Sequence, residues 1–251
     1  VFLRIRRPPR STLFPSTTLF RSTRHEYTLE YAQIDIEKIV NDMGHFPLKQ
    51  KDINEANTCG QFVLPFFRAF GWKTDDPFWS WEHKVPGSYN KHVDFAFSKQ
   101  GKGWVYVEAK RIRFKHIDRN KNFVRQIAGY FNAAKNAHLI ILTNGEEYCF
   151  YSYDENTEIC ATPFIRFNIR HIDLTKNAKP LERLFYNQFN IADWPKLAEM
   201  SRALAEIRHS LRNAPDSLTK EHLIEKSFAL IYPDIPEAER KELLTLFTQF
   251  S

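Results

Sequence analysis

The segment from His92 to Lys110 constrains the fold more than any other part of the sequence. It reads HVDFAFS-KQGKG-WVYVEAK, two alternating apolar stretches separated by a short glycine-containing turn. Alternation with a period of two is typical of strands with one buried face. We therefore predict a hairpin in which Ser98 pairs with Trp104. The same register places Asp94 opposite Glu108, with Cβ atoms about 5 Å apart.

Three ionisable side chains converge in this predicted hairpin. Glu108 and Lys110 share a face because side chains alternate along a strand, and Asp94 faces Glu108. Two facing carboxylates are destabilising unless something compensates their charge. Mg²⁺ prefers oxygen ligands and commonly uses one or two carboxylates, so we predict a Mg²⁺ site here, at which Mn²⁺ could substitute. An adjacent lysine could hold the attacking water of a phosphoryl transfer.

The pattern Glu-x-Lys alone is weak evidence for a site. It also occurs at Glu82 to Lys84, where no facing acid is identifiable, and at Glu239 to Lys241, in a predicted helical tail. A solvated sheet edge with a salt bridge is the plain alternative for Glu108 and Lys110. Only that pair combines a strand, a facing Asp and a following run of cations.

The sequence after the hairpin is strongly basic. Between residues 110 and 125 there are seven cations and one acid, Asp118. A solvated loop is the ordinary explanation of such a run, whereas its position beside the predicted metal site favours contact with a polyanion backbone. The candidate nucleic-acid-binding residues are Arg111, Arg113, Lys115, Arg119, Lys121 and Arg125.

Three further polar residues are candidates for the same site. Gln126 and Tyr130 lie four residues apart on a predicted helix and share a face, from which they could reach the strands. Packing in the core is the commoner explanation for such a tyrosine. Glu55 lies near the start of the first buried helix, where an acid also suits the helix dipole.

The order of predicted elements indicates an α/β fold with a central mixed sheet flanked by helices and a helical C-terminal extension. We predict helices over residues 26–40, 54–70 (bent at Pro65 and ended by Gly71), 121–135, 180–190 and 192–212, and two shorter ones beyond 217. Strands are expected at 82–86, 92–98 and 104–110. The sequence HLIILTNGEEYCFYSY predicts two strands joined at Asn144-Gly145, a strong hairpin signal.

The chain's basic charge depends on its first residues. The formal net charge is +6, from 36 Lys and Arg against 30 Asp and Glu. Ile5 to Ser22 resembles the translation of a common sequencing-adapter oligonucleotide, with a difference at Ser16, so we expect residues 1–22 to be non-native and disordered. A genuine basic, disordered arm is the alternative. These residues contain five arginines and no acid, which leaves 31 cations, 30 acids and a net charge of +1. Overall basicity is therefore no argument for a nucleic-acid partner.

Composition also bears on location. No apolar run approaches the roughly 20 residues that span a bilayer. The three cysteines are widely spaced, which is typical of reduced thiols in a cytoplasmic protein.

An ordered set of motifs extends from residue 54 to 153: NEANTCGQFVLPFFRAFGW, VDFAF, VYVEAK, QIAGY and LIILTNGEEYCFY. Together they resemble the nuclease domain at the N-terminus of type I restriction enzyme R subunits, in the PD-(D/E)XK nuclease superfamily. The resemblance implies a restriction-endonuclease-like core over residues 23–175, with 176–251 as the extension. Val93 stands where the family often has proline. No G-x-x-x-x-G-K-[ST] loop follows, so no ATP-driven motor is expected in this chain.

The resemblance also implies roles for the candidate residues. Asp94 matches the first motif, Glu108 and Lys110 match E-x-K, and Gln126 and Tyr130 match a Q-x-x-x-Y element. Glu55 is similar to the helix glutamate that often completes the metal site. In this scheme Asp94, Glu108 and Glu55 hold Mg²⁺, Lys110 and Gln126 serve catalysis, and Tyr130 joins the cations in binding DNA.

The expected function is Mg²⁺-dependent cleavage of DNA in restriction or defence, with a second copy or restriction-complex subunits as protein partners. Two alternatives remain open. One is a DNA-binding module that keeps the fold without catalysis, and the other is a metal-dependent hydrolase of small substrates.

Overall fold

The structure, a computed structural model, describes residues 28–45, 53–134, 137–153, 162–174 and 179–213, together with 222–223, 225–227 and 229. The adapter-like segment and most of the chain beyond residue 213 lie outside these residues. The described residues between 222 and 229 are helical, in agreement with a helix expected beyond 217, and the rest of the two short helices expected there lies outside the described residues. The boundary expected near residue 175 therefore stays a prediction.

A mixed sheet is the centre of the fold, as the sequence predicts. It has six strands, of which the last, at Ile165–Asn168, was not predicted. Its strands lie in chain order from one edge to the other. Neighbouring strands are antiparallel except the central pair, β3 and β4, which are parallel. The strands are β1 (Trp79–Lys84), β2 (His92–Phe97), β3 (Trp104–Ala109), β4 (Ala137–Thr143), β5 (Glu147–Tyr151) and β6 (Ile165–Asn168).

Helices cover both faces of this sheet. The α-helices are α1 (Leu29–His45), α2 (Glu55–Thr58), α3 (Leu64–Ala69), α4 (Lys121–Ala133) and α5 (Asp193–Arg212). One face packs against α1, α3 and the start of α5 in an aromatic-rich core that includes Phe66, Phe67 and Trp194. The other face packs against α4 through Ile127, Tyr130 and Phe131. The helix α4 connects β3 to β4, as two parallel neighbours require.

The helix predicted over residues 54–70 is interrupted by a π-turn at Cys59–Val63, between α2 and α3. Pro65 has no N–H to donate to the preceding turn, and a π-turn is one way a helix absorbs such a break. The predicted end is confirmed. Gly71 has φ 83°, and the amides of Gly71 and Trp72 donate to the carbonyls of Arg68 and Phe67, which is a Schellman cap.

Other boundaries differ from the prediction. The first helix is shifted to Leu29–His45, and β1 begins at Trp79 rather than at residue 82. The helix expected over residues 180–190 is wrong in type and length, because only a 3₁₀-helix at Lys179–Leu184 forms there. Trp72 explains the short element, since its indole N–H donates to the carbonyl of Leu184 at 2.8 Å.

The β4–β5 hairpin is confirmed at the Asn144-Gly145 turn. Gly145 has φ 82°, and a Cβ atom on it would lie 2.8 Å from the Cβ atom of Phe62. The turn therefore needs glycine for both its backbone conformation and the close approach of the π-turn.

We expect Gly145→Ala to lower the free energy of unfolding by about 2 kcal/mol, because left-handed strain and a steric clash act together. Gly60→Ala is the matched control, since a Cβ atom there meets nothing within 4 Å and alanine favours helix. Urea unfolding of both variants would measure the difference. Equal effects at the two positions would contradict this account of the turn.

Among the described residues, no helix combines the length and apolar character that a membrane span requires. Cys59 and Cys149 are buried free thiols, and Cys160 lies outside the described residues.

Candidate functional site

The β2–β3 register brings the two predicted carboxylates together. Phe95 pairs with Val107, and continuing that register by one residue places Asp94 opposite Glu108, which confirms the predicted register. Asp94 Oδ2 accepts a hydrogen bond of 2.6 Å from the backbone amide of Ala109. The side chain of Asp94 is thereby fixed against the end of β3.

Three side chains hold the carboxylate of Glu108. Lys110 Nζ lies 2.5 Å from Glu108 Oε1, and Gln126 Nε2 donates to the same oxygen at 2.6 Å. The Tyr130 hydroxyl lies 2.8 Å from Oε2 and 2.9 Å from the carbonyl oxygen of His92. It also accepts a hydrogen bond from Gln126. The face of α4 thus reaches the end of β3, and its contacts fix the rotamer of Glu108.

The electrostatics of the pair are those of crowded acids. Burial raises the pKa of Glu108 to about 7, and the charge of Asp94 adds to this, while Lys110 and Tyr130 offset part of the rise. Burial also raises the pKa of Asp94, against the Ala109 hydrogen bond and the charge of Lys110. When all three groups are ionised, Asp94, Glu108 and Lys110 carry a net charge of −1, with Glu108 and Lys110 buried and Asp94 half-buried. Neighbouring acids whose pKa values are strongly shifted are a recognised sign of a functional site.

This donor set fits a hard divalent cation. An ionised carboxylate offers about four lone-pair positions, and the contacts above occupy three on Glu108 and one on Asp94. One acceptor position of Glu108 and three of Asp94 therefore remain free of these contacts. Within the described residues, no three His, Cys, Asp or Glu side chains are grouped to hold a metal ion. Two carboxylates completed by water, backbone carbonyl or substrate phosphate are nevertheless a common Mg²⁺ arrangement.

Glu55 is the first residue of α2, capped by Asn54, whose side chain accepts from the backbone amide of Asn57 at 2.8 Å. Its charge contributes to the raised pKa of Asp94, so it lies within electrostatic reach of the site. At this position Glu55 can interact favourably with the dipole of α2, and it can also contribute to a metal site.

The cationic run divides into two groups. Lys115 forms an ion pair of 2.7 Å with Glu146, so its charge is already compensated within the protein. In the part of the chain that the structure describes, none of the other five candidate cations forms an ion pair. These are Arg111, Arg113, Arg119, Lys121 and Arg125, of which Arg111 is half-buried and the others are exposed.

Tyr130 differs from its expected role. It is 2% exposed, which leaves no surface for direct contact with a nucleic acid. Its contacts with Glu108, Gln126 and the His92 carbonyl instead connect α4 to both strands of the site. Gln126 and Tyr130, four residues apart, therefore both contact the carboxylate of Glu108.

One acid beside the site, Glu82, was not predicted from the sequence. Trp81 pairs with Phe95 and His83 with Val93, which places Glu82 opposite Asp94, so the view that Glu82 has no facing acid is wrong. Glu82 has φ 43°, a sparsely populated conformation for a residue with a side chain. The register arithmetic used for β2 and β3 would have found it, had β1 been placed correctly.

An open cavity of about 320 Å³ adjoins Asp94 and is lined by Glu82, His92, Val93 and Asp94. It gives Asp94 access from solvent.

No protein-family model matches the chain, and no curated protein matches it either. One solved structure similar to it is described as a cryo-EM structure of a DrdV–DNA complex, at 15% sequence identity and a TM-score of 0.35. The match covers 85% of this chain and 20% of that chain. This likeness is too low to establish a shared fold.

Proposed function

We propose that this protein is a Mg²⁺-dependent endonuclease that hydrolyses phosphodiester bonds of DNA, in a restriction or defence role. The observation that carries the proposal is the facing pair Asp94 and Glu108, with the Lys110 amine 2.5 Å from Glu108 Oε1. Facing acids with an amine at one edge form a set suited to binding a cation and a water molecule at one phosphate.

Asp94 and Glu108 are the residues that would hold the metal. Bound there, Mg²⁺ would supply charge neutralisation at the phosphate and lower the pKa of a coordinated water. The backbone amide of Ala109 holds one carboxylate oxygen of Asp94 in place, and Gln126 and Tyr130 hold the two carboxylate oxygens of Glu108.

Lys110 is placed to orient water and to offset charge. Its ammonium group has three donors, and the contact with Glu108 occupies one of them. The remaining donors can hold an attacking water or a phosphate oxygen, whose negative charge increases as the bond breaks. Phe123 lies beneath the ammonium group, 5.3 Å away, and restricts its motion. Gln126 acts on the same carboxylate oxygen and so orients Lys110 indirectly.

The substrate assignment rests on charge. The half-buried Arg111 and five exposed cations follow Lys110 within 15 residues. They suit the repeated phosphates of a nucleic acid better than a small substrate. We assign the backbone contacts to Arg111, Arg113, Arg119, Lys121 and Arg125, with a smaller contribution from Lys115.

The direct test is conversion of supercoiled plasmid to nicked and linear forms. We expect conversion with Mg²⁺ or Mn²⁺ and none with EDTA. Asp94→Asn should lower the rate at least about 100-fold, because one of two charged ligands is lost. Isothermal titration with Mg²⁺ should show the same loss as weaker metal binding. Cleavage that is independent of both the metal and Asp94 would overturn the proposal.

One observation favours a second candidate, a DNA-binding module without catalysis. The carboxylate of Glu108 is already satisfied by three donors of its own chain, as it would be in a purely structural polar cluster. Salt-sensitive DNA binding without cleavage under any divalent ion would establish this second function.

A further inference from the structure

The loop after β3, residues 110–120, is attached to the β4–β5 hairpin at its midpoint. The backbone amides of His116 and Ile117 donate to the two carboxylate oxygens of Glu147, at 3.1 and 3.3 Å. Asn144 Nδ2 donates to the carbonyl of Phe114. A single carboxylate thus fixes two consecutive peptide groups, with a side-chain amide fixing a third.

The hairpin that provides these contacts is itself rigid. Asn144 Oδ1 accepts from the backbone amides of Glu146 and Glu147, at 2.9 and 2.6 Å. The amide of Gly145 donates to Thr143 Oγ1 at 2.9 Å. Glu147 is 7% exposed, so water competes little for its oxygens. The contact point on the loop is therefore fixed relative to β4, the neighbour of β3.

The fixed point coincides with a reversal of the loop. His116 has φ 52°, a conformation that costs a residue with a Cβ atom roughly 1 kcal/mol. Its carbonyl accepts from the amide of Arg119, so the reversal leads directly into the 3₁₀-turn at Ile117–Arg119. Arg113 precedes this reversal and Arg119 follows it. Glu147 thus restrains the backbone that lies between these two exposed arginines.

We propose that Glu147 is a positioning residue for DNA binding, which acts by holding the reversal at His116 and so the arginines on either side of it. This inference rests on the proposed function. Cations on a restrained backbone lose less conformational entropy when they bind phosphates than cations on a free loop. Glu147 therefore affects affinity for DNA rather than the chemistry at Asp94 and Glu108.

The test is Glu147→Gln, which keeps the size of the side chain and one acceptor oxygen but turns an NH₂ group towards a backbone amide. We expect about tenfold weaker binding of a fluorescein-labelled 30-base-pair duplex in EDTA, and a salt dependence smaller by about one phosphate contact. With Mg²⁺, the DNA concentration for half-maximal rate should rise by a similar factor, with the rate at saturation unchanged. Amide hydrogen exchange at His116 and Ile117 should accelerate.

Asp193→Asn is the matched control. Asp193 also accepts two side-chain hydrogen bonds, from Arg183 and Asn190, but it lies at the start of α5, away from the loop. Both variants are measured well below their melting temperatures, so that only folded protein is compared. Binding by Glu147→Gln within twofold of wild type, or an equal loss in Asp193→Asn, would show that Glu147 contributes to stability alone. Wild-type protein without affinity for DNA would instead overturn the proposed function, and this inference with it.

Discussion

Replacing Lys110 with alanine is expected to reduce DNA cleavage by about 10²–10⁴-fold, the range for loss of one transition-state donor or one proton-transfer group. The affinity for DNA should stay within about threefold of wild type, because Lys110 is 6% exposed and the phosphate contacts are assigned to other cations. The loss should appear in the single-turnover rate at saturating DNA.

Two effects combine in this variant. The amine that would hold the water is lost, and the charge that favours ionised Glu108 and Asp94 is lost as well. The second effect predicts weaker Mg²⁺ binding, which titration can measure separately. Raising the Mg²⁺ concentration or the pH should restore Mg²⁺ binding. It should not restore the part of the rate that depends on the amine.

Lys84→Ala is the control, because Lys84 belongs to another Glu-x-Lys sequence, on the edge strand β1, and is exposed. We expect cleavage by this variant to match wild type. Wild-type rates in Lys110→Ala, measured at saturating DNA, would show that Lys110 has only a structural role with Glu108.

The arrangement of Asp94, Glu108 and Lys110 was predictable because it depends on local geometry. Strand alternation and a five-residue turn fix which side chains face each other, and the β2–β3 register agrees with that prediction. Gln126 and Tyr130 could likewise be placed on one helix face, since four residues make about one turn. The sequence could not show whether that face points at Glu108, because this depends on how α4 packs across the sheet.

The contacts that were missed are mostly non-local. The ion pair between Lys115 and Glu146 joins residues 31 positions apart, and the contacts of Glu147 with the loop have a similar separation. Neither segment has a periodicity that indicates the other as its partner. The sequence alone therefore does not indicate that Lys115 forms an ion pair or that the loop is held by Glu147. The π-turn before Pro65 was missed for another reason: proline marks a break in a helix, but packing decides how the backbone absorbs it.

Glu108→Gln is expected to stabilise the protein at alkaline pH while abolishing cleavage. The pKa of Glu108 is about 7 in the folded protein, against 4.5 for the unperturbed side chain. A raised folded-state pKa contributes stability that is fully present below pH 4.5 and is lost as the pH rises through about 7. Wild type therefore loses this contribution between those values, and the glutamine variant does not.

The charges of the cluster likewise predict that Glu108→Gln is more stable than wild type at alkaline pH. With Glu108 ionised, Asp94 and Glu108 outweigh Lys110 by one negative charge, whereas glutamine leaves one acid and one base. Glutamine still accepts a hydrogen bond from Lys110, so the lysine keeps a polar partner. We expect the free energy of unfolding of the variant, relative to wild type, to increase by about 1–3 kcal/mol between pH 5 and pH 8.

Urea unfolding at the two pH values, without divalent ions, measures this difference. Glu199→Gln is the control, since it makes the same change of charge at an exposed position of α5 and should show little dependence on pH. If the free energies of unfolding of Glu108→Gln and wild type differ by the same amount at both pH values, ionisation of Glu108 does not destabilise the folded protein. A pH-dependent gain, together with loss of cleavage, would mean that this cluster keeps an ionised acid for function at the expense of stability, as a site built to bind a cation requires.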